Sequence, residues 1–249
     1  RIYATHPSPE LASLMDAFIV LISHAQDKDG YIYTYNQIHF PGTRWVNLQI
    51  EHELYSHGHL IKAGVSHYKA TGRTDLLALA RKAADRIVAD FRGKGSRYTP
   101  GHQEIEIALL RLHQVIEGDT AYLDIARQFI EQRGKDSRFF FSILQQNANV
   151  AQREKIVQEK KQAYLAAHPE FKPFQLPLGN EAKKPANSAL RWTLSAAAGK
   201  YFQQHRPIRK QIVPVGHSVR FAYLEMQKSL RLQDKALYYL LFFLLNFQI

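Results

Sequence analysis

The chain has 249 residues, 33 basic and 22 acidic side chains, and a formal net charge of +11. Its 45% hydrophobic and 22% charged content is typical of globular domains and excludes a disordered chain, and this length can bury one sizeable core or two small ones. The absence of cysteine excludes disulfides, a thiol nucleophile and a cysteine-based zinc site within these residues.

The basic residues are scattered along the chain, with short dense segments at 92–97, 153–161 and 205–210. This spacing is typical of solvated faces and loops, so we expect no nucleic-acid partner, although an acidic glycan or protein partner stays open. The longest apolar run, 236–247, has twelve residues, fewer than the roughly 20 that a bilayer span needs. We therefore expect no membrane partner and interpret the run as a buried helix or one lacking its covering partner.

The first motif in chain order is Asp27-Lys28-Asp29-Gly30, which looks like the start of a calcium loop. Because the later ligands of such a loop are missing, a plain turn is favoured. The tyrosine-rich segment 30–40 predicts a short extended segment or hairpin arm. Aromatic residues here and just beyond suit stacking on sugar faces and equally suit a core; they are Tyr31, Tyr33, Tyr35, Trp45 and Tyr55.

Helical spacing of apolar residues dominates the rest of the chain. Thr74 and Thr120 are placed as N-caps of two helices, and Gly93 and Gly134 follow their predicted ends. The segment 71–81 repeats as 117–127, an offset of 46 residues. A helical hairpin that repeats at this spacing predicts an all-α fold of stacked helix pairs, as in a solenoid or a closed α/α toroid.

This pattern breaks between about residues 135 and 210. A basic helix is predicted over 150–167, and four prolines between 169 and 185 then forbid a continuous helix. We interpret 135–210 as an insertion with one or two helices of its own that covers one mouth of the scaffold. Regular helical spacing returns over 215–226.

Four histidines lie between residues 51 and 73. His52 and His59 face the same side of a helix but lie about 10.5 Å apart, too far to share one metal ion in the usual way. We therefore expect no metal site on this helix. His59 is predicted to pack below His52, His67 to meet the helix dipole or solvent, and His57 has no assigned role.

Three histidines share a second feature, since His52, His102 and His217 each lie near the start of a predicted helix. The inner helices of an α/α toroid all start at one mouth, so these imidazoles are expected to converge on one cavity. There they could form hydrogen bonds with sugar hydroxyls. The alternative is that each caps its helix or fills a polar pocket.

The carboxylates near these histidines offer a weaker signal. Glu51 and Glu53 are two residues apart, as are Glu104 and Glu106. Members of each pair face opposite sides of a helix, so only one of each can reach a cavity. Glycoside hydrolysis usually needs two positioned acids, and this pattern alone does not supply them.

Four linked motifs together resemble glycoside hydrolase family 127, the β-L-arabinofuranosidase-like family. They are DKDGYIYTY, RWVNLQIEHELYSHGHLIKAGVSHYKATGRTDLL, PGHQEIEIALLRLHQVIEGDTAYLDIARQFIEQRG and PVGHSVRFAYL. The likeness runs from about Asp27 to Gly134 and again from about Val213 to Leu224, in the family's order. It implies an (α/α)6 toroid followed by β-sandwich domains, and retaining hydrolysis of arabinofuranosides.

The resemblance also implies a zinc-bound cysteine nucleophile, a glutamate acid/base, and sugar contacts from the motif histidines, here His52, His102 and His217. In the family, the catalytic glutamates and cysteines follow the Gly-His-x-Val-Arg helix, whereas residues 226–249 do not look like that continuation. We therefore expect residues 1–249 to form a truncated (α/α)6 toroid, which corresponds to roughly the first half of the family's toroid. The chain itself would then hold no catalytic residue, metal or cofactor, with zinc expected in the complete family enzyme.

The functional prediction is a β-L-arabinofuranosidase-like glycoside hydrolase of which this chain carries part of the sugar site and is inactive alone. The expected partner is an arabinofuranoside-containing carbohydrate, in a bacterial cytoplasm, periplasm or secreted setting. The alternative is a non-catalytic helical-repeat module that binds a glycan or an acidic partner. Helices of an incomplete toroid would expose apolar faces, through which self-association is expected.

Overall fold

The computed structural model describes residues 2–116, 118–170, 199–211 and 220. Within these ranges the regular structure is helical and contains no strand, which confirms the all-α prediction. The helices are α1 (Ile2–Thr5), α2 (Pro9–Ala25), α3 (Thr34–His39), α4 (Glu53–Thr71), α5 (Asp75–Phe91), α6 (Glu104–His113), α7 (Ala121–Gln132) and α8 (Phe139–Ala167). Short 3-10 turns occur at Ser96–Tyr98 and Ile208–Lys210.

Two helical hairpins, α4–α5 and α6–α7, form the centre of the described structure. Helix α4 packs against both α5 and α6, and α6 packs against α7. The two hairpins are the units of the 46-residue repeat seen in the sequence. In this arrangement α4 and α6 lie side by side and begin at the same end, which we call the mouth.

The main hydrophobic core fills the space between these four helices. Apolar residues recur at three- and four-residue steps, so each helix turns one stripe inward. Fully buried members include Ile61 of α4, Ile87 of α5, Leu109 of α6, and Tyr122 and Phe129 of α7. Burying side chains of this size stabilises the fold by about 1.5–3 kcal/mol each relative to leaving them exposed.

The predicted N-cap residues lie at the N-cap positions, but their side chains do not form the capping hydrogen bonds. Thr74 and Thr120 are the N-cap residues of α5 and α7, but neither threonine makes a side-chain capping bond in these two described helices. Instead, a carboxylate oxygen of Asp75 and one of Asp119 each accept a first-turn backbone N–H, at 2.9 and 2.8 Å. Gly134 has φ 73°, the left-handed conformation expected just beyond a helix end.

The predicted extended segment at 30–40 is wrong, because most of its second half forms α3. The side chain of Gln37 explains the difference. Its Oε1 accepts the backbone N–H of Tyr33 at 2.9 Å, and its Nε2 donates to the backbone oxygen of Ala25 at 2.8 Å. These tertiary bonds fold the segment back onto the end of α2 and override the strand preference of tyrosine and isoleucine.

The predicted helix over 150–167 is the second part of the longer α8, which has 29 residues. Phe139 and Ile143 in its first turns pack against Phe202, so tertiary packing extends the helix towards its N-terminus. The insertion predicted at 135–210 therefore opens with one long helix. The helical segment predicted at 215–226, apart from Arg220, and the apolar run at 236–247 lie outside the described residues.

Helix α2 leaves an apolar face uncovered. None of the residues Pro9–Ala25 is buried, and Leu14, Phe18 and Leu21 are 55%, 55% and 62% exposed. Exposed apolar faces of this kind favour association, so self-association stays a prediction. In the described ranges, no helix combines the length and the apolar character needed to cross a membrane.

Helices α4 and α5 approach closely at Gly64. A Cβ atom added there would lie 2.5 Å from the Cβ of Ala80 and 3.0 Å from the backbone oxygen of Leu76. The first distance is shorter than carbon atoms tolerate, so the crossing needs a residue without a side chain.

We predict that Gly64→Ala lowers the free energy of unfolding by about 1–3 kcal/mol, because the new methyl group forces the two helices apart. Urea denaturation measures the change. Ala80→Gly in the Gly64→Ala background removes the nearest atom, so the two changes should be coupled rather than additive. The exposed Ser66→Ala is the control and should stay within about 0.5 kcal/mol of the parent. A Gly64→Ala variant as stable as the parent would contradict the close approach.

Candidate functional site

The structure brings two of the three predicted histidines together at the mouth. His52 immediately precedes α4, and His102 lies two residues before α6. Their ring centroids are 5.1 Å apart. His52 occupies the N-cap position of α4 without a side-chain capping bond, and Gln103 rather than His102 is the N-cap of α6. Helix capping therefore does not account for either imidazole.

Tyr55 extends this pair along α4. Its ring centroid lies 5.5 Å from that of His52 and 4.9 Å from that of His102. One turn further on, His59 packs edge-on against Tyr55 at 4.4 Å and keeps its side chain about half exposed. His59 thus packs below His52 through Tyr55, as predicted. Together the four rings form a continuous aromatic face at the mouth.

Arg220 joins the site from the far end of the described chain. Its Nε donates to Nε2 of His102 at 3.3 Å, and its Nη2 donates to the backbone oxygen of Gln49 at 3.3 Å. A guanidinium only donates, so Nε2 of His102 accepts and Nδ1 carries the proton. Burial lowers the pKa of Arg220 to about 9, which leaves it charged at neutral pH.

Sequence reasoning named no role for Arg220, although a signal was present. Arg220 ends the Gly-His-Ser-Val-Arg motif that also contains His217. His217 itself lies outside the described residues. The contact of Arg220 with His102 therefore brings one described residue of this motif to the mouth.

The electrostatics at the mouth keep His52 neutral. Burial lowers the pKa of His52, and the positive charge of Arg220 lowers it further. A neutral imidazole offers one donor and one acceptor, which suits hydroxyl groups.

Glu104, the first residue of α6, is a buried carboxylate at the base of the aromatic face. Its Oε1 lies 2.5 Å from the ammonium of Lys62 and 3.9 Å from Nδ1 of His59. Lys62 supplies the compensating charge that a fully buried carboxylate requires. The sequence analysis assigned no role to Lys62, because no sequence pattern indicated that it would pair with Glu104.

The glutamates of each pair have different partners, with Glu104 and Glu106 on one helix and Glu51 just before α4. Glu51 bonds to the guanidinium of Arg153, with its two oxygens 3.1 and 3.0 Å from Nη1. Glu106 faces away from Glu104 and forms a fully buried pair with Arg133 at 3.2 Å. These contacts commit the carboxylates to structural partners.

Glu53 is fully buried where α4 begins. Its Oε1 accepts the hydroxyl of Tyr31, and its Oε2 accepts the backbone N–H of Trp45 at 2.9 Å. Tyr31 is 1% exposed, so it belongs to the core and not to a sugar-stacking surface. Burial raises the pKa of Glu53 to about 7, against the opposing effect of its two hydrogen bonds.

Trp45 adopts a left-handed backbone conformation, with φ 62°. Such a conformation is strained for a bulky residue and persists only where contacts hold it. Here the backbone N–H binds Glu53, and the indole Nε1 donates to Asp90 at 2.7 Å.

His57, for which the sequence suggested no task, is a fully buried link in the same network. Its Nε2 accepts the backbone N–H of Ile32 at 3.3 Å, and its Nδ1 lies 2.8 Å from the backbone oxygen of Glu53. Burial lowers its pKa to about 4, so the ring is neutral, with the proton on Nδ1. His57 therefore ties the turn at residue 32 to the first turn of α4.

His67 is predicted to meet the helix dipole or solvent, and the solvent alternative is wrong. It is 7% exposed, and its Nδ1 lies 3.5 Å from a carboxylate oxygen of Asp75. His67 of α4 is covered by the start of α5 in this hairpin. The pattern of a single helix does not indicate that contact.

The Asp27–Gly30 motif forms a turn. The carboxylates of Asp27 and Asp29 both bind Arg44, at 2.8 and 2.5 Å, and Gly30 donates its N–H to the backbone oxygen of Asp27. These ion pairs already use the charges that a calcium ion would need.

The described residues do not fit the zinc ion that the family resemblance implies. Within the described ranges, no group of three or more histidine, aspartate or glutamate side chains is arranged to hold a metal ion. The sequence also contains no cysteine.

Comparisons with known proteins agree on one family. The model of the β-L-arabinofuranosidase GH127 catalytic domain matches residues 1–242. A non-reducing end β-L-arabinofuranosidase of Bifidobacterium longum subsp. longum is 30% identical over 227 residues, which cover 89% of this chain and 29% of the relative.

Solved structures show the same relationship. A GH127 β-L-arabinofuranosidase from Geobacillus stearothermophilus T6 aligns with a TM-score of 0.64 and 34% identity, covering 93% of this chain and 31% of that chain. The GH127 β-arabinofuranosidase BT3674 aligns with a TM-score of 0.60 and 26% identity, covering 94% and 29%. The chain thus spans less than a third of the length of these relatives.

The buried Glu53 and His57 make opposite contributions to stability between pH 4.5 and 6.5. A carboxyl whose pKa rises from 4.5 to about 7 on folding stabilises the fold fully below pH 4.5 and loses that contribution as the pH rises through 7. An imidazole whose pKa falls from 6.5 to about 4 stabilises the fold above pH 6.5 and loses that contribution as the pH falls through 4. Each slope is about 1.4 kcal/mol per pH unit, and the two oppose each other.

We therefore predict opposite changes in pH slope for two variants. In Glu53→Gln the Glu53 contribution is lost, so the free energy of unfolding falls more steeply than in the parent on acidification from about pH 6.5 to about pH 5. In His57→Gln the His57 contribution is lost, so the free energy of unfolding falls less steeply than in the parent, or rises, over the same interval. Urea denaturation at the two pH values measures both slopes, with the exposed His24→Gln as control. Two variants with the parent's slope would show that neither group is perturbed.

Proposed function

The chain belongs to glycoside hydrolase family 127, and we propose that it forms part of the sugar-binding mouth of a β-L-arabinofuranosidase. Family membership and the helical toroid-type fold confirm the predictions made from the motifs. The observation that carries the proposal is the meeting of His52 and His102, from two motifs 50 residues apart, at the shared starting end of α4 and α6.

The chemistry of this pair suits a terminal furanose. His52 is neutral and offers a donor and an acceptor to vicinal hydroxyls. Arg220 donates to Nε2 of His102 and so fixes the orientation of its ring. The ring of Tyr55 lies beside both histidines and offers an apolar face on which a sugar ring can pack.

We include His217 as a third sugar contact in this proposal. Its support is the position of Arg220, three residues further along the same motif, against His102. The reaction we assign to the whole protein is retaining hydrolysis of arabinofuranosides, in line with the names of its relatives.

The described residues would bind and orient the sugar rather than cleave it. In the family, the resemblance implies a zinc-bound cysteine nucleophile, and the sequence contains no cysteine. We therefore expect no turnover from these 249 residues alone. The same absence supports the second candidate, a non-catalytic helical module that binds a glycan or an acidic partner.

We predict that the complete gene product, supplied with zinc, hydrolyses an aryl β-L-arabinofuranoside, whereas the 249-residue chain binds the sugar without hydrolysing it. His52→Ala and His102→Ala should each lower kcat/KM about 10- to 100-fold, because each removes hydrogen bonds to the sugar. The matched control is His24→Ala, on the exposed face of α2, which should leave kcat/KM unchanged.

Three outcomes separate the candidates. Neither turnover nor sugar binding by the complete, zinc-loaded protein would overturn the proposed function. Turnover by the 249-residue chain would overturn the claim that its catalytic groups are missing. Salt-sensitive binding of acidic polymers that survives both histidine variants, without arabinofuranoside binding, would favour the non-catalytic module.

A further inference from the structure

A cavity of about 360 Å³ opens beside the mouth, between α8 and the chain segment that leads into α4. Its walls come from three parts of the chain: residues 44–48, the loop 94–98 that connects α5 to α6, and the α8 residues 142–149. We call it the basic cleft. Neither His52 nor His102 lines it.

The lining of the basic cleft combines positive charge, amides and aromatic rings. The α8 wall carries polar side chains, namely Ser142, Gln145, Gln146 and Asn149. The opposite wall carries Trp45, Tyr98 and three cations, Arg44, Lys94 and Arg97. Among the described residues that line it, none is acidic.

Among the described residues, two of the three cations have no carboxylate partner. Arg44 is neutralised by Asp27 and Asp29. The ammonium of Lys94 lies 4.8 Å from the ring centroid of Tyr98, and Arg97 contacts only an amide oxygen of Gln145, at 3.4 Å, among the described residues. An ammonium and a guanidinium that line one cavity, with no acid among its described lining residues, can bind a carboxylate or sulfate group.

The basic cleft is coupled to the histidine pair through one residue. The backbone N–H of Gln49 donates to Oε1 of Gln146 on the cleft wall at 2.9 Å, and its backbone oxygen accepts from Arg220 at 3.3 Å. Arg220 in turn contacts His102. The segment 44–49 therefore separates the two, with the cleft on one side and the histidine site on the other.

We propose that the basic cleft binds an anionic sugar unit of the glycan whose terminal furanoside lies at His52 and His102. This inference rests on the proposed function for the terminal sugar. Lys94 and Arg97 bind the negative group, the α8 amides form hydrogen bonds with ring hydroxyls, and Tyr98 packs against the sugar ring. The substrate class is thus an arabinofuranoside carried on an acidic glycan, with a uronate carboxylate or a sulfate ester as the charged group.

A neighbouring cavity of about 310 Å³ supports binding of more than one charged unit. It shares Arg97 and Tyr98 with the basic cleft and adds two cations, Lys135 and Arg138, against one acid, Asp136. A trisaccharide with several charges should therefore bind more tightly than a single uronate.

The test measures binding of tri-galacturonate to the 249-residue chain by calorimetry, beside its neutral methyl ester and a sulfated trisaccharide of the same length. We expect the acidic trisaccharide to bind and the methyl ester to bind at least about tenfold more weakly, which corresponds to about 1.4 kcal/mol. A preference between carboxylate and sulfate identifies the natural charged group, since both belong to the proposed class.

The diagnostic variant is Lys94→Gln with Arg97→Gln, which should weaken binding of the acidic trisaccharide about tenfold. The matched control is Lys155→Gln with Lys161→Gln, which removes the same net charge from exposed positions of α8 outside the cleft. Equal weakening in both variants, or equal binding of acid and methyl ester, would overturn the proposal, because the net charge of +11 would then explain the attraction.

A second pair of variants distinguishes this proposal from the function on which it rests. His52→Ala with His102→Ala should abolish arabinofuranoside binding and leave tri-galacturonate binding unchanged. Loss of both ligands in that variant would overturn a separate anionic site. If the parent protein binds tri-galacturonate but no arabinofuranoside, the anionic site is supported and the proposed function is overturned.

Discussion

The buried carboxylate of Glu53 is the constraint on which the geometry of the mouth depends. A buried carboxylate is stable only where hydrogen bonds replace its hydration. Glu53 obtains these bonds from the hydroxyl of Tyr31 and the backbone N–H of Trp45, while its own backbone oxygen binds His57. The turn at residues 27–32, the segment at 44–46 and the start of α4 are thereby locked together. Because His52 directly precedes Glu53 in the chain, these contacts also fix the position of its backbone.

Other carboxylates around the mouth are likewise paired with specific partners. Glu51, Glu104 and Glu106 are each matched by one cation, from α8, α4 and the end of α7 respectively. Beside these paired carboxylates, the aromatic face of the mouth consists of imidazoles and a phenol among the described residues, with the guanidinium of Arg220 against His102. Neutral groups of this kind form hydrogen bonds with hydroxyls and need no counter-ion. In the described part of the chain, Lys94 and Arg97 of the basic cleft have no carboxylate partner.

Helix α8 connects the predicted insertion to this arrangement through two side chains. Arg153 reaches Glu51, Asn36 and Thr43, and Gln146 accepts the backbone N–H of Gln49. Because residues 49 and 51 precede His52 closely, α8 supports the proposed sugar site while forming one wall of the basic cleft. A change in α8 would therefore alter the surroundings of the proposed site without altering the histidine pair.

The sequence by itself determined the helical hairpins, the family, and the placement of His52 and His102 at helix starts. Periodicity and motif spacing are local properties, and each can be read along one chain segment. It did not determine α3, the early start of α8, the burial of His67, or the roles of Lys62 and Arg220. Several of these features depend on partners that are far away in the chain. Lys62 and Glu104 are 42 residues apart, and Gln49 and Arg220 are 171 residues apart. Only the tertiary structure decides such contacts, because a buried charge or hydrogen-bonding group finds its partner through packing and not through sequence spacing.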